Sequence, residues 1–192
     1  MRKFVQILIM VCMVVFSAQV AFAHSDKVTV QEGADLASVH RLAIGMPEYV
    51  PVGETAPTKD DVLHAVADAS KVARCYVVSY DAAAEGIKSD KGVDIKSLDR
   101  RKAATEFKND VSAYADAYVI LTVANNSSLV LFYDVYKAGT NELLYSYQIA
   151  ANRSDKDEVD TYKMLSEQFF KNFERSAEEQ QKKSEKEAKK KK

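Results

Sequence analysis

Cysteine is nearly absent from this chain. Of the two in 192 residues, Cys12 lies in the apolar N-terminal run, which leaves Cys75 alone. A lone thiol cannot close an internal disulfide, so the fold must stand on its own core. Cys75 reads as a small buried residue opening a strand, with a reactive thiol as the alternative. Glycine is also scarce, at six residues, which argues against a phosphate-cradling loop. The sequence contains no H-E-x-x-H, G-x-S-x-G, G-x-x-x-x-G-K-[ST], C-x-x-C or S-x-x-K. The three histidines, His24, His40 and His64, do not cluster, whereas a metal site needs several donors brought together. These shortages point away from an enzyme and from a metal or other cofactor.

A surplus of basic charge is missing as well. The chain holds 27 Lys and Arg against 28 Asp and Glu. Met1, Arg2 and Lys3 open it, an apolar run follows over 4–16, and Ala21-Phe22-Ala23 makes a small-residue exit. This layout predicts a cleavable secretory signal over residues 1–23. The run falls short of the roughly 18–20 residues that a spanning helix requires. The expected location is therefore the periplasm or the extracellular space, with no transmembrane segment after cleavage. Without the signal, 25 basic residues face 28 acidic ones. The tail from Ser176 carries seven Lys and four Glu, which leaves about −6 on residues 24–175. An acidic body argues against nucleic acid as a partner, because phosphate affinity rests on clustered Lys and Arg.

What is present is pattern. Residues 24–40 form a polar lead in which Val28, Thr29 and Val30 are either a short edge strand or unstructured. The first firm strand is expected over 41–50, with Pro47 and Pro51 making its end ragged. Thr58 is a candidate N-cap, with Asp60 and Asp61 in the first turn, and Val62, Val66, Ala69 and Ala73 recur at helical spacing up to about Arg74. A β-rich run covers 75–80. Helices are expected over 82–88 and 95–114. Strands over 115–125, 129–137 and 142–150 are separated by turn-forming residues and predict an antiparallel meander. Ser154 or Asp155 then caps a last helix with an apolar stripe of Val159, Tyr162, Leu165, Phe169 and Phe173. Beyond Phe173 nothing larger than Ala is available for burial, so the Lys/Glu-rich segment 176–192 is either a fraying helix end or a disordered tail.

The order is β-α-β-α-β-β-β-α. It predicts an α/β (α+β) fold: a single mixed sheet of about five strands, its last three antiparallel, with helices packed on it. One domain is expected over 41–175. In the hairpin, Leu129, Leu131, Tyr133 and Val135 share one face, as do Leu143, Tyr145, Tyr147 and Ile149. The tyrosines either pack this sheet or form a recognition surface. Tyr136, Tyr145, Arg100 and Arg101 are the residues proposed for such a surface. For Arg100, Arg101 and Lys102, three consecutive helical positions point in different directions, which favours a solvated, ion-paired surface. Asp90, Asp94 and Asp99 around Gly92 read as a loop and helix N-cap rather than a calcium loop.

Three segments together carry a resemblance: "HRLAIGMPEYVP", "YADAYVILTV" in the place of an aDyvl-x-G-x-v strand, and "FYDVYKAGTNELLYSY" as a v-D-x-x-tG-x-v-l-w hairpin. Over about residues 38–175 the chain resembles small periplasmic α/β domains of bacterial envelope proteins. These include the penicillin-binding-protein activator lipoproteins, the periplasmic domain of the curli-export lipoprotein and the N-terminal domain of the Tol translocation protein. The chain departs from that pattern in lacking a lipobox cysteine and the glycine of the 117–124 strand. The resemblance implies a non-enzymatic protein that docks a protein partner in the cell envelope. Two other functions stay open: a secreted small-ligand binder or enzyme whose site forms only in three dimensions, and a self-associating structural protein.

Overall fold

The computed structural model describes residues 26–125 and 128–190. The expected signal, Cys12, His24 and the centre of the first meander turn lie outside them. The meander follows the sequence pattern closely. Strands β4 (Ala117–Asn125), β5 (Leu129–Lys137) and β6 (Leu143–Ala150) pair antiparallel, with Leu121 opposite Tyr133 and Tyr133 opposite Tyr147. Along β5 every second residue from Leu129 to Val135 is buried and the residues between are half-buried. A bulge between Val135 and Tyr136 leaves Tyr136 opposite Leu143 and lets Leu144 turn inward.

The sheet has six strands, in the order β1-β6-β5-β4-β2-β3. The strand beyond the expected five is β1 (Asp26–Val30), which pairs antiparallel with β6, Val28 opposite Tyr147. All five of its residues are exposed, so it has no buried face to give it a hydrophobic period. On the other side, β2 (Arg41–Ile44) runs parallel to both β4 and β3 (Tyr76–Val78). The ladder of β2 stops at Ile44 instead of 50. Single bonds follow, from Gly45 N–H to the Val119 carbonyl at 2.8 Å, from Glu48 N–H to the Leu121 carbonyl at 2.7 Å and from Val123 N–H to the Glu48 carbonyl at 3.0 Å. Pro47 and Pro51 have no N–H to continue them.

Helix α1 (Lys59–Ala69) starts in a capping box: Thr58 Oγ1 accepts from Asp61 N–H at 3.1 Å, and the Asp61 carboxylate accepts from Thr58 N–H at 2.9 Å. It stops at Ala69 in a 3-10 turn, earlier than Arg74. Helix α2 (Tyr80–Lys91) begins two residues sooner than the pattern suggested, because Ser79 caps it, and it closes on Gly92 at φ 70. The single helix expected over 95–114 is broken. The Asp99 carboxylate accepts from the N–H groups of Arg101 and Lys102, at 3.1 Å each, and so starts α3 (Arg100–Asp110) afresh. Short 3-10 turns lie on either side of it.

Helix α4 (Val159–Lys190) lays Tyr162, Leu165, Phe169 and Phe173 on the sheet, whereas Val159 at its start is exposed. Phe169 stacks on Tyr133 with centroids 4.4 Å apart. Ser166 Oγ donates to the Tyr162 carbonyl at 2.6 Å, so in the buried 2.7 Å contact between Tyr133 and Ser166 it is the phenol that donates. Tyr147 accepts from Asn172 and donates to Asp26, each at 3.1 Å. The helix does not fray at Ser176. Gln180 donates to the Ala34 carbonyl and accepts from Leu36 N–H, both at 2.9 Å, and Glu174 and Glu178 hold Arg74. Helix α1 packs beside α4, while α3 covers the opposite sheet face through Phe107, whose ring meets Tyr118 edge-on at 5.9 Å. Among the described residues no helix is long and apolar enough to cross a membrane.

Candidate binding cleft

The order of the sheet reverses at β2. From there the chain leaves through α1 to β3 on one side, and from β3 it returns through α2 and α3 to β4 on the other. In open α/β sheets the space outside the carboxyl end of such a strand is where ligands bind. A cleft of about 790 Å³ occupies that place here. Its floor is Ile120 and Thr122 of β4 with Asp134 and Tyr136 of β5. Arg100, Ala104, Phe107 and Lys108 of α3 form one wall. Lys59, Asp60, Leu63 and His64 from the first turns of α1 form another, and Glu48 stands at the edge. Gly45 allows β2 to end close against β4: a Cβ there would run into Ile120 Cδ1 and come within 3.2 Å of the Val119 carbonyl.

Most charges in the cleft are paired. Lys96 meets Asp81 at 2.6 Å, His64 Nε2 lies 3.8 Å from the same carboxylate, and Arg100 lies 3.7 Å from Glu48. Asp134 accepts from Ser146 Oγ at 2.6 Å. Lys59 stands apart. Burial lowers its ammonium below the ordinary value and the nearby Arg100 guanidinium pushes the same way, against the pull of Glu48 and Asp60. Tyr136, half-buried, stacks on Tyr118 with centroids 5.3 Å apart. Burial, then Asp134 and Glu48, raise the phenol of Tyr136 above its ordinary value. Beneath it Tyr118 donates to Asn141 Oδ1 at 2.7 Å, and burial pushes it up to about 12.

The residues singled out from the sequence separate. Tyr136 and Arg100 both line the cleft. Arg101 is exposed and outside it; its backbone N–H serves the Asp99 cap. Tyr145 is not a surface residue at all. It pairs with Val135 on the helix-covered face and is buried under α4, its ring 5.3 Å from Phe173, because strand parity places it with Tyr147 and not with Tyr136. The loop acids have local partners: Asp90 accepts from Tyr114 at 2.6 Å, and Asp94 pairs with Lys88 at 3.0 Å. Among the described residues no group of three His, Cys, Asp or Glu could hold a metal. Lys59, Glu48 and Phe107 escaped the sequence reading. The signal that could have found them is the pair of helical connections leaving β2 on opposite sides.

The chain is similar to several solved structures. The LpoB C-terminal domain from Escherichia coli is 16% identical, with a TM-score of 0.46, covering 64% of this chain and 88% of that one. The PelC dodecamer from Paraburkholderia phytofirmans is 11% identical, with a TM-score of 0.40, covering 74% of this chain and 96% of that one. Lipoprotein GNA1162 from Neisseria meningitidis is 13% identical, with a TM-score of 0.35, covering 66% of this chain and 91% of that one. Neither a family model nor a curated protein matches the chain.

Proposed function

We propose that the chain is an exported accessory module of the bacterial cell envelope that binds a protein partner and performs no reaction itself. The observation that carries this reading is the cleft at the carboxyl end of β2 together with the sheet face it opens onto. On that face Phe132, Asp134, Tyr136, Ser146 and Gln148 are all half-buried, an aromatic and polar mixture typical of recognition surfaces. The cleft offers aromatic anchor points and rim charges of both signs, which suit an extended peptide segment. The test is cross-linking in envelope preparations with wild type, Tyr136→Ser, Arg100→Ala and, off the cleft, Arg101→Ala. The reading expects one partner band with wild type and Arg101→Ala that fades in the other two variants, each checked for folding by circular dichroism. Equal bands in all four would refute it.

Lys59 supports a second reading, a small acidic ligand. An anion bridging Lys59 and Arg100 would relieve their mutual repulsion in a partly desolvated place. Calorimetry with low-molecular-weight envelope extract separates the two readings. Heat that Lys59→Gln abolishes would favour the small ligand, and absence of heat beside a Tyr136-dependent cross-link would favour the protein partner.

A further inference from the structure

The lysine-rich segment plays no part in the cleft, yet the structure gives it a definite form. Helix α4 is clamped to the body as far as Gln180, through Ala34, Leu36 and Arg74, and then continues to Lys190. Residues 181–190 therefore make a helical arm of about 15 Å at 1.5 Å per residue. At about 100° per residue, Lys182, Lys183, Lys186 and Lys189 fall within a sector of about 120°. The opposite side is Ala177, Gln181, Ser184 and Ala188, which continues the buried line of Ser166, Phe170 and Phe173. Lys182, Lys186 and Lys189 thus prolong the solvent side of α4, Lys183 stands at the flank above the line of Leu165, and all four are exposed. Lys182 shares Glu178 at 3.6 Å with Arg74, and Glu179, one turn earlier, is in line with the lysine sector.

We infer that this lysine face docks the protein onto an anionic phospholipid surface, with the arm lying on the headgroups. Charge complementarity selects that occupant. The arm has no aromatic residue and no arginine, the usual anchors of a protein interface. It has nothing apolar larger than alanine to insert between acyl chains. Against Glu185 and Glu187, the five lysines of residues 181–190 leave a net positive row of compact, hydrated ammonium groups, which fits a surface carrying many phosphates and not one pocketed anion. The body, at about −6 over residues 24–175, is repelled by the same surface, so the arm makes the contact and the body, with its cleft, stands off.

The test is co-sedimentation of the exported chain with phosphatidylglycerol and phosphatidylcholine vesicles at low and high salt. The partner variants are Lys182→Gln/Lys183→Gln/Lys186→Gln/Lys189→Gln, the same four positions changed to Arg, and Lys163→Gln/Lys171→Gln on the body portion of α4. The expected result is sedimentation with phosphatidylglycerol alone, abolished by high salt. Each lysine lost from the arm should lower partitioning about fivefold, while the Arg set and the body pair keep it. Circular dichroism of the four-Gln variant verifies that the helix persists. Equal partitioning of wild type and the four-Gln variant overturns the inference. So does retention on soluble polyphosphate or on an acidic protein without vesicle binding.

Discussion

Replacing Phe169 by alanine should cost roughly 4 kcal/mol. The ring is completely buried and stacks on Tyr133 at 4.4 Å with an interplanar angle of 9°, and it also meets Tyr145, Tyr147, Phe170 and Phe173. Phe-to-Ala substitutions in cores cost about 3–5 kcal/mol through lost transfer energy plus the cavity left behind. The stacked pair adds to this, and the rigid β5 backbone under Tyr133 cannot collapse into the space. A domain of this size has about 5–15 kcal/mol in total, so the change removes about a quarter or more of its stability. At about 2–4 °C per kcal/mol, Tm should drop by roughly 8–16 °C. The assay is urea unfolding followed by far-UV circular dichroism, with an unchanged m-value showing that the same surface is exposed. Phe132→Ala is the control. It lies on β5 too, but its side chain is half-buried on the opposite face, and its loss should cost about 1 kcal/mol. Equal losses for the two phenylalanines, or a Phe169→Ala cost below about 1 kcal/mol, would refute the seating of α4 on this face.

Three further outcomes follow from burial. Burial, reinforced by the Glu174 carboxylate, pushes the Cys75 thiol from 9.0 up to about 11, so at pH 8 its thiolate fraction is about a hundredfold lower than that of an open thiol. An aromatic disulfide reagent should therefore label it about a hundredfold more slowly in buffer than in urea, and equal rates would contradict the partial burial of this half-exposed residue. Burial also pushes the phenols of Tyr118 and Tyr145 up to about 12, and raises Tyr133, Tyr147 and Tyr162 as well. Unfolded tyrosines ionise near 10, so above that pH the unfolded state holds fewer protons and stability falls. Stability should be flat from pH 7 to 9, begin to fall toward pH 10, and above pH 10 drop by about 1.4 kcal/mol per pH unit for each such tyrosine. Ultraviolet titration in which all ten tyrosines ionise reversibly near pH 10 in a folded chain would contradict this. Finally, Gly45→Ala should destabilise by about 1–3 kcal/mol through overpacking against Ile120 and deform the cleft, measured by urea unfolding; a neutral effect would show that β2 has room to shift.

The parts legible in the sequence are those whose two sides differ. Strand β5 could be read to the residue because Leu131, Tyr133 and Val135 face a helix while Phe132 and Asp134 face away. Helix α1 was legible from Thr58 and Asp61, which do form its cap. By contrast β1 has no buried side, so Val28 and Val30 gave no period that could distinguish an edge strand from a loose lead. The break at Asp99 was hidden because no glycine or proline interrupts residues 95–114, and Ala103, Phe107 and Val111 recur at helical spacing after it. Residue type suggests a surface place for Tyr145, but its parity with Tyr147 puts it under the last helix. The cleft was hardly legible, since it is assembled from six separated stretches whose members, such as Lys59 and Glu48, look like ordinary surface residues until the sheet order brings them together. In the tail, large apolar residues stop at Phe173, but Gln180 holds the helix down by hydrogen bonds, which hydrophobic periodicity does not register.

The central claim, recognition of a protein through the cleft, is tested most directly by a photo-reactive amino acid placed in living cells at Tyr136, with Lys163 on the solvent side of α4 as the reference. The account predicts a discrete cross-linked protein from position 136 that disappears when Arg100 is also changed to Ala, and none from position 163. The same product from both positions, or none from 136 in any growth condition, would contradict it.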